Sequence, residues 1–247
     1  MPSMWITPQW AAPAGVHAAF TLRTGGASAA PFDTLNLGAH VGDDPLCVAE
    51  NRRRVAQALG LPSNPVWLQQ VHGIAVHDIG GAVPPRAPAD ASITRLPDSV
   101  CAIMVADCLP VLFAARDASA IGAAHAGWRG LAAGVLEATV QALAVPPADL
   151  RAWLGPAIGP ANFEVGDDVR SAFLVNDQAA AAAFRPGRGD RWWCDLAMLA
   201  RQRLEACGVT AITADGSCTY AERERFFSHR RDGRCGRMAA LIWKDQP

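Results

Sequence analysis

Residues 99–115, SVCAIMVADCLPVLFAA, constrain the fold more than any other stretch of the chain. Two apolar, partly β-branched runs, 99–106 and 110–115, flank a carboxylate and a thiol, Asp107 and Cys108. Neither run alternates apolar with polar residues, so each predicts a strand buried on both faces. Strands of that kind need further layers to cover them. The polar pair between them predicts a kink in otherwise buried chain.

The rest of the chain supplies those layers. VHAAFTL (16–22), VWLQQV (66–71), ASAIGAAH (118–125), LRAWL (150–154) and RMAALIWK (237–244) read as further strands. Asp43, Asp44 and Pro45 open a helix whose Val48, Val55 and Leu59 share a face and which Gly60 and Pro62 end. LAAGVLEATVQAL (131–143) has a helical period, GDDVRSAFLV reads as a helix, and AAAAAF (179–184) is alanine-rich but short. Asp195 caps a helix that carries Leu196, Leu199, Leu204 and Cys207 and closes at Gly208. PPRAPAD (84–90) reads as a surface loop. Strands and helices mix irregularly, which predicts an α+β class: a layered α/β protein with mixed β-sheets. We expect a single domain over residues 1–247.

Charge and cysteine usage exclude several function classes. A formal net charge of -1 offers no electrostatic footprint for nucleic acid or an anionic membrane. No apolar run reaches the roughly 18 residues of a membrane helix. The first ten residues have neither a basic nor an apolar signal region, so no signal peptide is expected. Seven scattered cysteines without a CxxC pair make a poor disulfide framework and predict a reducing, cytoplasmic setting. No heptad or long apolar edge asks for a partner subunit, so a monomer is expected.

Three segments share one design. VWLQQVHG, CAIMVADCLP and AIGAAHAGWRG each run from an apolar strand into a metal-competent side chain: His72, Cys108 and His125. Each lies beside a residue expected to turn the chain, namely Gly73, Pro110 and Gly127. Functional groups gather at strand ends. If the three converge, a His/Cys/His set suits zinc and leaves a fourth position for water or substrate. The same atoms fit a second chemistry, in which Cys108 is a nucleophile, His125 its base and Asp107 an orienting group. Taken singly, each histidine is ordinarily a hydrogen-bonded structural residue and the cysteine a small buried hydrophobe.

Other candidates surround these three. Arg129 opens a helix after a glycine turn, a seat for phosphate or another anion. Arg23, Arg53, Arg230 and Ser228 add charge or hydroxyl, while Asn36 and His40 occupy a loop where polar groups could face a ligand, though capping and turn formation explain them equally well. His17 is expected to be structural and His77 is unassigned; Trp128, Trp192 and Trp193 could stack on a base, but core packing is the expected role of such side chains.

In combination, TLRTGGAS, LNLGAHVGDDP with ENRRR, LQQVHG, ADCLPVLF, AHAGWRGLAAGV, WLGPAIGP with FEVG, and FFSHRR with GRMAALIW resemble the YfiH family. This family is also called laccase-domain or polyphenol-oxidase-like, and the resemblance runs from about Phe20 to Trp243. It implies a zinc-dependent enzyme that phosphorolyses adenosine, inosine, guanosine and S-methyl-5'-thioadenosine and deaminates adenosine. It implies His72, Cys108 and His125 as the metal ligands, and a purine nucleoside and phosphate as partners; deamination would also need a proton shuttle, for which Asp107 is the candidate. The fold it implies is similar to that of cytotoxic-necrotizing-factor-type toxin domains, which are cysteine-dependent deamidases. Relatives are also linked to peptidoglycan editing, so a Cys/His hydrolase or amidase stands as the alternative. One departure is His229, where the family pattern has tyrosine. Oxidase chemistry of the multicopper kind needs clustered histidines. The six present include no HxH pair, so copper is expected here only as an adventitious occupant giving weak polyphenol oxidation.

Overall fold

A computed structural model describes residues 3–80 and 87–246. Its strands form two large mixed sheets and a small one. The first sheet runs β1 (Trp5–Ile6), β2 (Val16–Thr21), β14 (Met238–Lys244), β6 (Cys101–Val105), β3 (Val66–Trp67). The second runs β13 (Ala211–Ala214), β9 (Leu150–Leu154), β7 (Leu109–Ala115), β8 (Ile121–Ala126), β5 (Ala91–Thr94), β4 (Val76–Asp78). The small sheet orders β10 (Glu164–Val165), β12 (Trp192–Cys194) and β11 (Phe184–Pro186). Six helices are described: α1 (Pro45–Leu59), α2 (Trp128–Ala133), α3 (Val135–Leu143), α4 (Asp167–Leu174), α5 (Leu196–Ala206) and α6 (His229–Asp232).

Side-chain alternation along the strands assigns the layers. In β7, Leu112 and Ala114 enter a core shared with Ile103 and Val105 of β6 and Met238, Ala240 and Ile242 of β14. Val111, Phe113 and Ala115 point the other way, to Val135, Leu136 and Val140 of α3 and Leu199 and Leu204 of α5. Ala239 and Leu241 of β14 face Val55 of α1. The order is therefore helix, sheet, sheet, helix, and both central sheets are covered on both faces. That explains the unbroken apolar runs: residues 101–105 and 109–115 are buried throughout. The mixed layered architecture matches the expectation from sequence.

The kink between those runs is larger than a bend within one sheet. β6 belongs to the first sheet and β7 to the second, so Ala106, Asp107 and Cys108 carry the chain from one layer to the next. Asp107 makes the turn with φ 88°, a left-handed conformation that Asp tolerates better than most residues. Pro110 does not turn the chain, contrary to expectation; it lies inside β7, opposite His125 of β8.

Two further expectations are corrected, and one unassigned stretch receives its structure. The strand predicted through residue 71 stops at Trp67, because Gln70 supplies the pairing with its side chain: Nε2 donates to the Met104 carbonyl and Oε1 accepts from the Met104 N–H, both at 2.8 Å. The helix predicted to open near Arg129 and run through 131–143 is two helices, broken at Gly134 with φ 106°. The alanine run at 179–184 is a 3-10 turn, Gln178–Ala183, entering β11. The loop at 84–90 lies partly outside the described residues. No helix among the described residues is long and apolar enough to cross a membrane.

Candidate metal centre

His72, Cys108 and His125 converge although they reach the site from three different local structures. His125 is the fifth residue of β8, Cys108 directly precedes β7, and His72 sits five residues beyond β3. One donor atom of each lies within 4.8 Å of the others. Cys108 Sγ is 3.8 Å from His72 Nε2, and the two imidazole rings meet edge to face with centroids 4.7 Å apart. Ordinary zinc–ligand lengths, about 2.0–2.3 Å, place tetrahedral ligand atoms about 3.5 Å apart, so small side-chain rotations close the set on a common ion.

A fourth residue, unmarked by any motif, arranges the other three. Asp90 is fully buried immediately before β5. Its carboxylate accepts the N–H groups of Val71 at 3.1 Å, His72 at 2.9 Å and Gly73 at 2.7 Å, and His125 Nδ1–H at 2.8 Å. A carboxylate only accepts, so the proton on His125 is fixed at Nδ1 and Nε2 is left bare for a metal. The same carboxylate holds His72 in its left-handed turn, φ 61°. Burial raises the Asp90 pKa, yet the hydrogen bonds from His125, Gly73 and Val71 prevail and hold it below the usual carboxylate range.

Glycine sets the packing beneath the cluster. A Cβ on Gly127 would lie 2.7 Å from His72 Cδ2 and 3.1 Å from Cys108 Sγ, and one on Gly130 would lie 2.9 Å from the Gly73 carbonyl oxygen. Helix α2 therefore approaches the ligands as closely as backbone permits.

The electrostatics favour a thiolate. Burial pushes the Cys108 thiol up, but His125 and His72 overcome this and draw it down to about 6. Burial likewise opposes charge on His125, but Cys108 and Asp90 raise it to about 9. Cys101, buried in β6 without such company, is pushed up to about 12 by desolvation. The donor set therefore fits one divalent cation with mixed imidazole and thiolate ligation. It does not fit a multicopper cluster: His17 binds Asp245 at the sheet edge and His77 meets the Ala87 carbonyl, which leaves four histidines to serve the whole region.

Two hollows that share His72 and Cys108 in their lining open on the cluster. One, about 190 Å³, is lined by His72 and Cys108 together with Trp128, Ile158, Phe163 and Leu196. The other, about 330 Å³, is more polar and adds His40, Gln70, His125 and Arg237. Arg129 and His229 border both. Burial, then Arg237, Arg52 and His125, lower the pKa of His40.

The remaining candidates divide cleanly. His40, Arg129, Arg230 and Asp107 border these hollows. Asp107 Oδ1 accepts from Thr219 Oγ1 at 2.6 Å and Oδ2 from the Arg230 N–H at 2.7 Å, so it clamps the turn that carries α6. Ser228, fully buried, caps that turn by accepting from the Arg231 N–H. Arg23, Asn36 and Arg53 line neither hollow. Arg23 binds Asp33 and the Arg223 carbonyl, and Arg53 binds Glu50 and Gln57 on exposed helix surface. Asn36 is fully buried and committed to Gly38, Asp43 and Arg237.

Similarity to known proteins places this chain in a family. Residues 17–245 match the family model described as multi-copper polyphenol oxidoreductase laccase. The chain is 54% identical over 241 residues to the purine nucleoside phosphorylase YfiH of Escherichia coli, covering 98% of this chain and 99% of that one. It is equally identical over 241 residues to a purine nucleoside phosphorylase of Pseudomonas aeruginosa, covering 97% and 98%. The crystal structure of a Neisseria meningitidis protein superposes with a TM-score of 0.95 at 46% identity, covering 99% of this chain and all of that one.

Proposed function

Because this chain belongs to the YfiH, or laccase-domain, family, we propose that it is a zinc-dependent purine nucleoside phosphorylase. Its substrates in this reading are adenosine, inosine, guanosine and S-methyl-5'-thioadenosine with inorganic phosphate, and it also deaminates adenosine. The observation that carries the reading is the convergence of His72, Cys108 and His125 beside a hollow edged by aromatic rings, in a chain this similar to proteins that bear the phosphorylase name. We take the whole chain as one catalytic domain, working as a cytoplasmic monomer.

His72, Cys108 and His125 would hold the zinc, which when bound supplies a Lewis acid for an oxygen of phosphate or water. Asp90 fixes the tautomer of His125 and the backbone of His72, so both ligands are pre-oriented. Trp128 and Phe163 offer apolar faces for the purine, and an aromatic edge excludes water from the sugar–base bond. Arg129 lies over the Trp128 ring, 4.4 Å from its centroid, and has no carboxylate partner among the described residues, so its charge is available to phosphate. Asp107 is the carboxylate assigned to proton transfer in deamination. Each of its oxygens accepts one hydrogen bond and keeps a lone pair for a proton.

The alternative keeps one specific support. A thiol drawn to about 6 beside a raised imidazole is also the state of a cysteine nucleophile with its base. One assay separates the two: inosine with and without phosphate, before and after chelation. The phosphorylase reading expects hypoxanthine and ribose 1-phosphate only when phosphate is present, with loss of turnover on chelation and recovery on adding zinc. Turnover that survives chelation, or that ignores phosphate, would refute it.

A further inference from the structure

His229 occupies a position that the reading above does not use. It is the first residue of α6 and borders both hollows, the apolar one with Trp128 and Phe163 and the polar one with His40 and Arg129. Its Nδ1 lies 2.6 Å from the Gly233 carbonyl oxygen. A carbonyl only accepts, so Nδ1 carries hydrogen and donates it back into the turn. The ring is thereby oriented, and Nε2 is the nitrogen left for the cavity.

The support beneath this imidazole is stiff although the residue itself is exposed. Asp107 accepts the N–H of the next residue, Arg230. The Arg231 guanidinium donates to the carbonyls of Thr219, Tyr220 and Phe226 and pairs with Asp232. Ser228 caps the turn from a fully buried position. A turn of four helical residues with this many anchors holds one side chain at a chosen place over a site.

We propose that His229 is a catalytic acid that protonates the departing purine. The inference rests on the phosphorylase reading. As the bond between the sugar carbon and the base nitrogen breaks, its electron pair passes into the purine ring. The Nε2 proton moves to the ring nitrogen N7, and a phosphate oxygen forms the new bond to the sugar carbon. The products are the neutral base and ribose 1-phosphate; the proton that the phosphate gives up on forming the ester passes to solvent, and His229 recovers one from there. The hydrogen bond from Nδ1–H to Gly233 supports the imidazolium while it carries the extra proton.

The test compares His229→Gln with wild-type holoenzyme on two nucleosides at saturating phosphate. Inosine needs a proton on its leaving base. In 7-methylguanosine, N7 is already alkylated and positively charged, so no acid is required. The expected result is a fall in kcat on inosine of about 10²-fold, within the range for general acid catalysis. On 7-methylguanosine kcat stays within about threefold of wild type, and zinc content is unchanged. Equal losses on both substrates would make His229 a structural residue and overturn the proposal. Unchanged kcat on inosine would overturn it equally. If wild-type protein fails to phosphorolyse either nucleoside, the underlying phosphorylase reading falls and this inference falls with it.

Discussion

Two buried aspartates flank the His72, Cys108 and His125 cluster, and they do different things. Asp90 enters from the second sheet and gathers four donors, three of them from the His72 turn and its neighbours and one from the ring of His125. Asp107 sits where the chain crosses between sheets and ties down Thr219 and the Arg230 backbone. Asp90 therefore organises the three candidate ligands, whereas Asp107 organises the rim above them. A carboxylate's role here follows from what donates to it, not from its distance along the chain to a ligand: Asp107 adjoins Cys108, yet Asp90 is the one that aims ligands.

The contrast breaks most visibly at Asp90. Asp90→Asn keeps the shape but replaces one acceptor oxygen with a donor facing N–H groups. Zinc affinity should fall about 10- to 100-fold, the usual cost of losing a carboxylate behind a ligating histidine. Competition with a chromophoric chelator measures it, and an unchanged affinity would remove Asp90 from the account. Gly127→Ala attacks the same cluster from below. Its Cβ would crowd His72 and Cys108, so we expect zinc binding about tenfold weaker in a protein whose circular dichroism is native.

A third prediction sharpens the electrostatic side. In metal-free protein, iodoacetamide should modify Cys108 with a rate that half-titrates near pH 6, against about 8.5 for an ordinary thiol. Its folded pKa is depressed, so reactivity persists above pH 6 and is lost on acidification through it. Cys101, pushed up to about 12 and fully buried, should stay unmodified throughout. Peptide mass mapping across pH distinguishes them; half-titration near 8.5 at Cys108 would contradict the ion-pair picture. The smallest effect is expected at the other aspartate. Asp107→Asn should leave zinc affinity within about threefold and cost about 1–2 kcal/mol of stability through the weakened 228–232 turn, read by chemical denaturation.

This division also explains what the sequence made legible. His72, Cys108 and His125 were readable because a thiol and two imidazoles interrupt apolar runs that have no structural need of them. The layered fold was readable because 99–115 has no polar face. Asp90 was not: among Pro, Ala and Asp it resembles any turn former, and three of its four partners are backbone N–H groups that sequence does not mark. Gln70 was equally hidden, since a side chain that imitates a strand looks like an ordinary residue of VWLQQV. Asn36 shows the opposite failure. A polar residue in a glycine-rich loop reads as available, but its amide is spent holding Gly38, Asp43 and Arg237 together.

X-ray absorption at the zinc edge, on protein loaded with one equivalent of zinc, tests the central claim most directly. The account predicts one sulfur at about 2.3 Å, two imidazole nitrogens and one lighter oxygen or nitrogen ligand at about 2.0–2.1 Å. A first coordination sphere without sulfur, or with two sulfurs, would contradict it.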